Sequence, residues 1–270
     1  MPVSKLKNLA VLILLFANIA LLCLLIPRRV EQANQAQDLR ASLTALCAHQ
    51  DVVLDPATVP ETITLYALEL AEREQAESAA LTTLLGQTPV TVDAYLQTPS
   101  QQRIGTWENG AITLRLTDQE EAYDFRDAAE DTLESMGFQV YAIEEPRRLS
   151  PGIYNVSATQ GILGIPVFSE GVTMTYSNSH LTDIKGQFFA GTLTQSGSTA
   201  CISAADAVVE FLSCRVDLGW VGSAITGMQQ GYLRTDAAAS TVELTPFWQL
   251  QTDTGVFYVN GLTAEIFAAE

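Results

Sequence analysis

The sequence predicts an α+β protein in which an N-terminal transmembrane helix precedes an extracytoplasmic domain of two helix-plus-antiparallel-sheet units. An uninterrupted apolar run near the N-terminus predicts the membrane helix. Segments with helical spacing then alternate with β-rich hairpin patterns, in the order typical of α+β folds. All 31 acidic residues follow the apolar run, as expected of a folded domain held in water.

The apolar run extends from Leu9 to Ile26 and contains no charged residue. At the helical rise per residue this segment is roughly 27 Å long, close to the hydrocarbon thickness of a bilayer. A cleaved signal peptide is the alternative, but its apolar region is usually about 7 to 15 residues long and a small-x-small site follows it. Here Pro27 and Arg28 follow directly, which favours an uncleaved anchor.

The charges flanking the run are nearly balanced, with Lys5 and Lys7 before it and Arg28 and Arg29 after it. The short N-terminal tail can remain in the cytoplasm while the long C-terminal part is exported. We therefore expect a single-pass protein of the cell membrane with a cytoplasmic N-terminus. The predicted divisions are a tail (1–8), the span (9–26), a juxtamembrane helix and connector (27–67), a first α+β unit (68–150) and a second (151–270).

One strongly polar side chain, that of Asn18, lies inside the predicted span. An amide in hydrocarbon gains on the order of 0.6 to 2 kcal/mol by hydrogen bonding to another helix. Ala10 and Ala17 are seven residues apart and allow a close helix approach on one side. Ala10, Ala17 and Asn18 are therefore candidate contacts with a membrane partner, although a single span also tolerates one asparagine.

The charge of the chain excludes one class of partner. Ten basic and 31 acidic residues follow Arg29, so this part carries a formal charge of −21. Such a field repels phosphate backbones, which excludes nucleic-acid binding, and it also repels anionic lipid headgroups. A basic partner surface is compatible with the charge, and so is a role in solubility alone.

After the predicted span, apolar spacing indicates a juxtamembrane helix to about His49, and within the first unit it indicates a second helix from Leu68 to a C-cap at Gly86. Strand patterns follow, including a hairpin around Asn109-Gly110. Thr117-Asp118-Gln119-Glu120 has the form of a capping box, which predicts a helix whose face includes Ala122, Phe125, Ala129, Leu133 and Met136. The predicted strands are Val90–Leu96, Ile104–Leu116 as the hairpin, and Phe138–Ile143.

The second unit begins with a strand pattern at Ile153 and continues as an antiparallel meander. Ser203 is predicted to cap a helix with Val208, Val209 and Leu212 on its inner face. The predicted strands are Ile153–Thr159, Ile162–Phe168, Val172–Tyr176, Leu181–Phe189, Gly231–Arg234, Val242–Leu250 and Val256–Asn260.

Residue types that carry catalysis are scarce in this chain. His49 and His180 are its two histidines, which leaves little material for a histidine triad or metal cluster. A helix between Cys201 and Cys214 would be roughly 16 Å long, too far for a disulfide. We therefore expect no enzyme activity, cofactor or metal. The aromatic residues Phe188, Phe189, Phe247, Trp248, Phe257 and Tyr258 are expected to pack as core rather than to line a binding groove.

Several short motifs resemble a known family. Ser4–Leu9 before the apolar run is similar to the start of YycI proteins, which are membrane-anchored regulators acting with YycH on a cell-wall two-component system. Gly164–Phe168, Val172–Tyr176 and Leu181–Gly186 look like the hairpin region of that family. The segments Leu244–Trp248 and Gly255–Asn260 resemble its closing strands and those of PepSY-type modules, although Thr263-Ala264-Glu265 stands where Thr-Gly-Glu is common.

The resemblance implies a non-enzymatic regulator of a sensor histidine kinase, WalK (also called YycG), in association with a YycH-like protein. The sign of regulation is left open. A PepSY-like module that binds or inhibits an exported protease is the alternative, and an envelope enzyme is the third possibility.

Overall fold

A computed structural model describes residues 37–108, 110–117, 119–237 and 241–269 of the chain. Within these ranges no helix is both long and apolar enough to cross a membrane. The predicted span 9–26 lies outside the described residues, as do Ala10, Ala17 and Asn18 within it.

The described residues form four helices and one 16-stranded, mainly antiparallel sheet. The predicted α+β class is therefore confirmed. The helices are α1 (37–49 in its described part), α2 (Arg73–Leu85), α3 (Phe125–Ser135) and α4 (Ala204–Cys214), with a 3-10 turn at Pro56–Thr58. The strands are β1 Val53–Leu54, β2 Leu68–Ala71, β3 Val90–Val92, β4 Tyr95–Gln97, β5 Arg103–Glu108, β6 Ala111–Arg115, β7 Val140–Ile143, β8 Arg147–Ser150, β9 Ile153–Ile162, β10 Ile165–Ser177, β11 His180–Gln187, β12 Thr192–Gln195, β13 Ala224–Ala237, β14 Thr241–Thr252, β15 Val256–Asn260 and β16 Ile266–Ala268.

Strand β10 lies in the middle of the sheet and joins its two halves. The strand order is β12-β2-β14-β13-β10-β11-β6-β5-β4-β3, with β9 also paired to β10 and with β15 paired to β14. Residues 172–177 of β10 pair antiparallel with β9 and β11. Near the other end of β10, Val167 pairs in parallel with Tyr232 of β13. One strand thus belongs to both halves.

Each half of the sheet has its own hydrophobic cluster. The cluster of the first half includes Leu81 of α2, Leu133 of α3 and Met174 of β10. The cluster of the second half includes Phe211 of α4 and Trp248 of β14, whose indole N–H donates to the carbonyl of Ile202. The helices therefore cover one face of each half by burying apolar side chains against the strands.

Local signals at two helix ends and one hairpin are confirmed. Gly86 adopts φ +66° at the C-cap of α2, a conformation that glycine reaches without strain. Ser203 and Asp206 form the reciprocal hydrogen bonds of a capping box at the start of α4. Strands β5 and β6 form the predicted hairpin, with Ile112 and Leu114 buried.

Two predicted helix starts are wrong. Leu68–Ala71 is strand β2, because it pairs with both β12 and β14, and α2 begins only at Arg73. Helix α3 begins at Phe125 with Asp124 as its N-cap, so the Thr117 to Glu120 motif caps no helix. Ala122 precedes α3, and its backbone N–H donates to the carbonyl of Ser179.

Other predicted elements differ in extent or orientation. Val209 is 45% exposed, while the inner face of α4 consists of Ala204, Ala207, Val208, Phe211 and Leu212. The predicted strand at 90–96 is a hairpin, β3 and β4, that turns through Asp93 and Ala94 at positive φ. Strand β10 is continuous across the two strands predicted there, and β13 is far longer than predicted.

At the last turn, Ala264 has φ +61° and its N–H donates to the carbonyl of Asn260. The turn therefore forms with alanine in the left-handed conformation, at a cost of roughly 1 to 2 kcal/mol.

Two buried glutamines close gaps in the backbone pairing of the sheet. The side-chain amide of Gln160 on β9 donates to the carbonyl of Phe189 at 2.7 Å and accepts from its N–H at 3.1 Å. The side-chain amide of Gln230 on β13 donates to the carbonyl of Ile63 at 2.8 Å and accepts from its N–H at 2.9 Å. Each amide thus replaces a neighbouring strand, and at Phe189, which is 4% exposed, it satisfies a donor and an acceptor that burial would otherwise leave unpaired.

We expect Gln160→Met to lower the free energy of unfolding by about 2 to 4 kcal/mol, because methionine keeps the volume but leaves the Phe189 backbone groups unpaired. Urea unfolding followed by tryptophan fluorescence measures the change. The matched control is Gln102→Met at an exposed position, for which we expect a change within about 0.5 kcal/mol. Equal effects of the two substitutions would contradict the role assigned to Gln160.

Candidate functional site

Helix α1 is the described element that follows the predicted membrane span in the chain, and it is the first part of the candidate site. Ala10, Ala17 and Asn18 lie outside the described residues, and their contacts remain predictions.

Helix α1 packs into the hydrophobic cluster of the second half of the sheet. Leu43 is 3% exposed and Cys47 is fully buried within that cluster. The Arg40 Nε–H donates to the carbonyl of Val59 at 3.0 Å. At the end of α1, Arg215 beyond α4 donates through Nη1 to the carbonyl of Gln50 at 2.7 Å. Apolar burial and two hydrogen bonds to distant parts of the chain thus hold the helix against the domain.

The chain leaving α1 adds a further attachment. Val53 and Leu54 form β1, which pairs in parallel with Ala224 and Ile225 of β13. The 3-10 turn that follows is capped by Asp55, whose carboxylate accepts from the N–H of Ala57. The described part of the segment that the sequence predicts to be juxtamembrane therefore belongs to the folded domain from 37 onward.

One side of α1 remains exposed. Leu39 and Leu46 are 39% and 37% exposed, and they lie seven residues apart, which places them on the same side of the helix. Two apolar side chains on this side of α1 are therefore partly exposed to solvent.

The described cysteine thiols do not form a reactive site. Cys47, Cys201 and Cys214 are free, which agrees with the predicted separation of Cys201 and Cys214. Burial raises the pKa of the Cys47 and Cys201 thiols, which lowers their thiolate fraction and hence their reactivity.

His180 begins β11, and its Nδ1 lies 2.9 Å from the carbonyl oxygen of Gln119. Among the described residues no group of three or more histidine, cysteine, aspartate or glutamate side chains could hold a metal ion.

The aromatic residues identified in the sequence separate onto two sides of the second half of the sheet. Trp248 and Phe257 face α4, with the Phe257 ring 5.1 Å from that of Phe211. Phe188 and Phe189 are also buried, in different clusters. Phe247 and Tyr258 alternate with the inward-facing residues and lie on the opposite face. Phe247 is nevertheless buried, at 2% exposure, so the core prediction holds for five of the six residues, while Tyr258 is partly exposed on a surface that the sequence did not reveal.

An apolar cleft of about 390 Å³ lies at the junction between the two halves. It is bounded by α2, the end of α3 and the segment after β11. Small and apolar side chains line it, including Ala76, Ala79, Met136 and Leu193, and none of its lining residues is charged. The cleft can accept an apolar group but offers no acid, base or metal ligand.

Comparison with known proteins gives no family assignment. No protein-family model matches the chain, and no curated protein does so. An uncharacterized protein from Eubacterium rectale is similar in structure at 10% sequence identity, over 79% of this chain and 87% of that one, with a TM-score of 0.42. The C-terminal domain of YpeB from Bacillus megaterium is similar at 11% identity, over 75% of this chain and 99% of that domain, with a TM-score of 0.36. Both scores are low, so no functional argument rests on either likeness.

We expect Leu43→Ala to release α1 from the domain, because it removes a side chain that is 3% exposed in the core. The loss in free energy of unfolding should be about 2 to 4 kcal/mol, and amide hydrogen exchange across 40–49 should accelerate. Leu46→Ala is the matched control on the exposed side, with an expected loss below about 1 kcal/mol. Unchanged exchange in Leu43→Ala would show that α1 does not depend on this contact.

Proposed function

We propose that this chain is a membrane-anchored, non-enzymatic regulator that modulates the sensor histidine kinase of a cell-wall two-component system. The predicted span and the resemblance to YycI proteins suggest the role. The attachment of α1 to the domain core is the structural observation that supports it. A regulator of this kind needs a physical connection between its outer domain and its membrane segment.

The contacts of α1 would form the outer part of such a connection. Since the helix is packed into a close-packed cluster, a displacement of the domain is transmitted to α1 rather than absorbed by a flexible linker. Residues 27–36 separate the predicted span from the described part of α1, so α1 would act within roughly 35 Å of the membrane surface. A partner helix rising from the same membrane could contact Leu39 and Leu46.

The partners follow from the same reasoning. The kinase and a YycH-like protein are those that the resemblance implies. Within the bilayer, Asn18 would hydrogen-bond to a partner helix and Ala10 and Ala17 would permit its close approach. These membrane contacts and the contacts of α1 would then act along one continuous segment of the chain.

A second candidate function, a PepSY-like module that inhibits an exported protease, is favoured by one observation. In both halves a helix precedes an antiparallel meander: α3 precedes β9, β10 and β11, and α4 precedes β13, β14 and β15. This repeated order suits a binding module that acts without a membrane partner.

We expect Asn18→Leu to reduce co-purification of the full chain with its membrane histidine kinase by roughly threefold to thirtyfold, the range that corresponds to one interhelical hydrogen bond. Quantitative immunoblotting of the kinase recovered from solubilised membranes measures the effect. Ile19→Leu is the matched control, since it alters a neighbouring side chain without removing a polar group, and recovery should be unchanged.

Replacement of the whole span by an unrelated one provides the stricter test. Unaltered recovery of the kinase after both changes would refute the membrane part of the proposal. Inhibition of an exported protease that survives replacement of the span would instead favour the PepSY-like function.

A further inference from the structure

The second half of the sheet has one face without a helix layer. Along β14, Val242, Leu244, Trp248 and Leu250 belong to the cluster that packs against α4. The alternating side chains therefore point away from α4. On this face, one residue from each of four neighbouring strands lies directly opposite the next. The row consists of Gln229 on β13, Gln249 on β14, Tyr258 on β15 and Phe267 on β16.

Aromatic rings and amides alternate around this row. The Tyr258 ring lies 5.5 Å from that of Phe168 and 5.6 Å from that of Phe267. Gln249 donates through Nε2 to the Tyr258 hydroxyl at 3.1 Å, and Gln229 donates to the Tyr141 hydroxyl at 2.6 Å. We call this surface the amide–aromatic face, formed by Tyr141, Phe168, Gln229, Gln249, Tyr258 and Phe267.

The amide–aromatic face is accessible and adjoins a cleft. Tyr141 and Phe267 are 41% and 45% exposed. The cleft has a volume of about 400 Å³, and its lining includes Tyr141, Gln229, Gln251 and one charged residue, Glu61. That volume falls within the range of small-molecule sites. A ligand could therefore enter the cleft and continue along the rings of the face.

The six residues of the amide–aromatic face are uncharged although the chain is strongly acidic, and Glu61 is the charged residue in the lining of the adjoining cleft. On this side of the sheet, the positions between Gly227 and Gly231, between Phe247 and Gln251 and between Val256 and Asn260 carry glycine, glutamine, aromatic, valine or asparagine side chains. The formal charge of the whole chain is −17. An uncharged patch within such a field matches a neutral ligand better than an ionic one.

The side-chain chemistry narrows the ligand further. A carboxamide presents donors and an acceptor together, which complements hydroxyl groups because these also donate and accept. Aromatic faces complement flat patches of C–H groups. A sugar ring combines hydroxyl groups with flat patches of C–H groups. Proline-rich peptides also dock on aromatic grooves, but their backbone offers chiefly acceptors, whereas a hydroxyl group can both donate to and accept from an amide.

We propose that the amide–aromatic face binds a neutral glycan chain, with sugar rings against Tyr258 and Phe267 and hydroxyl groups on Gln229 and Gln249. The site does not require the kinase partnership and would give the extracytoplasmic domain a ligand of its own.

The test is isothermal titration calorimetry of the full chain in lipid nanodiscs, which avoids detergents with sugar headgroups. The probes are maltohexaose, cellohexaose and chitohexaose. We expect at least one of them to bind with a Kd below about 1 mM. The double substitution Gln229→Met with Gln249→Met should weaken that binding by about tenfold or more. Phe267→Ser, at an exposed edge position, should weaken it similarly.

Gln102→Met, a glutamine outside the face, is the matched control and should bind as the unchanged chain does. Hydrogen exchange confirms that each variant is folded, and Phe267→Ser provides the test if the double variant is not. The proposal is overturned if no hexasaccharide binds at about 5 mM, or if the folded variants bind unchanged. It is also overturned if decaproline binds more tightly than every hexasaccharide, which would make the face a peptide site.

Discussion

The fold depends on the ability of strand β10 to pair with both halves of the sheet. Its residues 172–177 lie between β9 and β11, while Val167 lies beside Tyr232 of β13. The register between β10 and β9 shifts between Pro166 and Gly171, the same part of β10 in which Val167 pairs with β13. Each half then builds its own cluster around its own helices, on either side of this strand.

A strand shared in this way leaves backbone groups without strand partners near the junction. Gln160 and Gln230 satisfy these groups at Phe189 and Ile63, each with one donated and one accepted hydrogen bond. Both amides are buried, at 4% and 6% exposure, so water does not compete for them. An apolar residue of equal size would fit the space but not the hydrogen-bonding requirement.

Features that depend on a few neighbouring residues could be predicted from the sequence. The Ser203 capping box, the Gly86 C-cap and the β5–β6 hairpin each arise from contacts within a few positions. The helical pattern from Leu68 failed because β2 is defined by strands more than a hundred residues later, and no local signal reports such pairing. Val209 was wrongly predicted to lie on the inner face of α4, because apolar residues also flank that face.

The same limit explains why the amide–aromatic face could not be found in advance. Gln229, Gln249, Tyr258 and Phe267 are separated in the sequence, and only the register of four strands brings them into one row. In β14, Trp248 and Gln249 are adjacent, yet one faces α4 and the other faces away, as the period of two requires. Of the odd positions of β14, Thr245 and Phe247 are buried, whereas Gln249 is partly exposed and Gln251 is exposed. These two amides beside the rings of Tyr258 and Phe267 therefore require an explanation other than core packing, and binding is the one that uses both kinds of side chain.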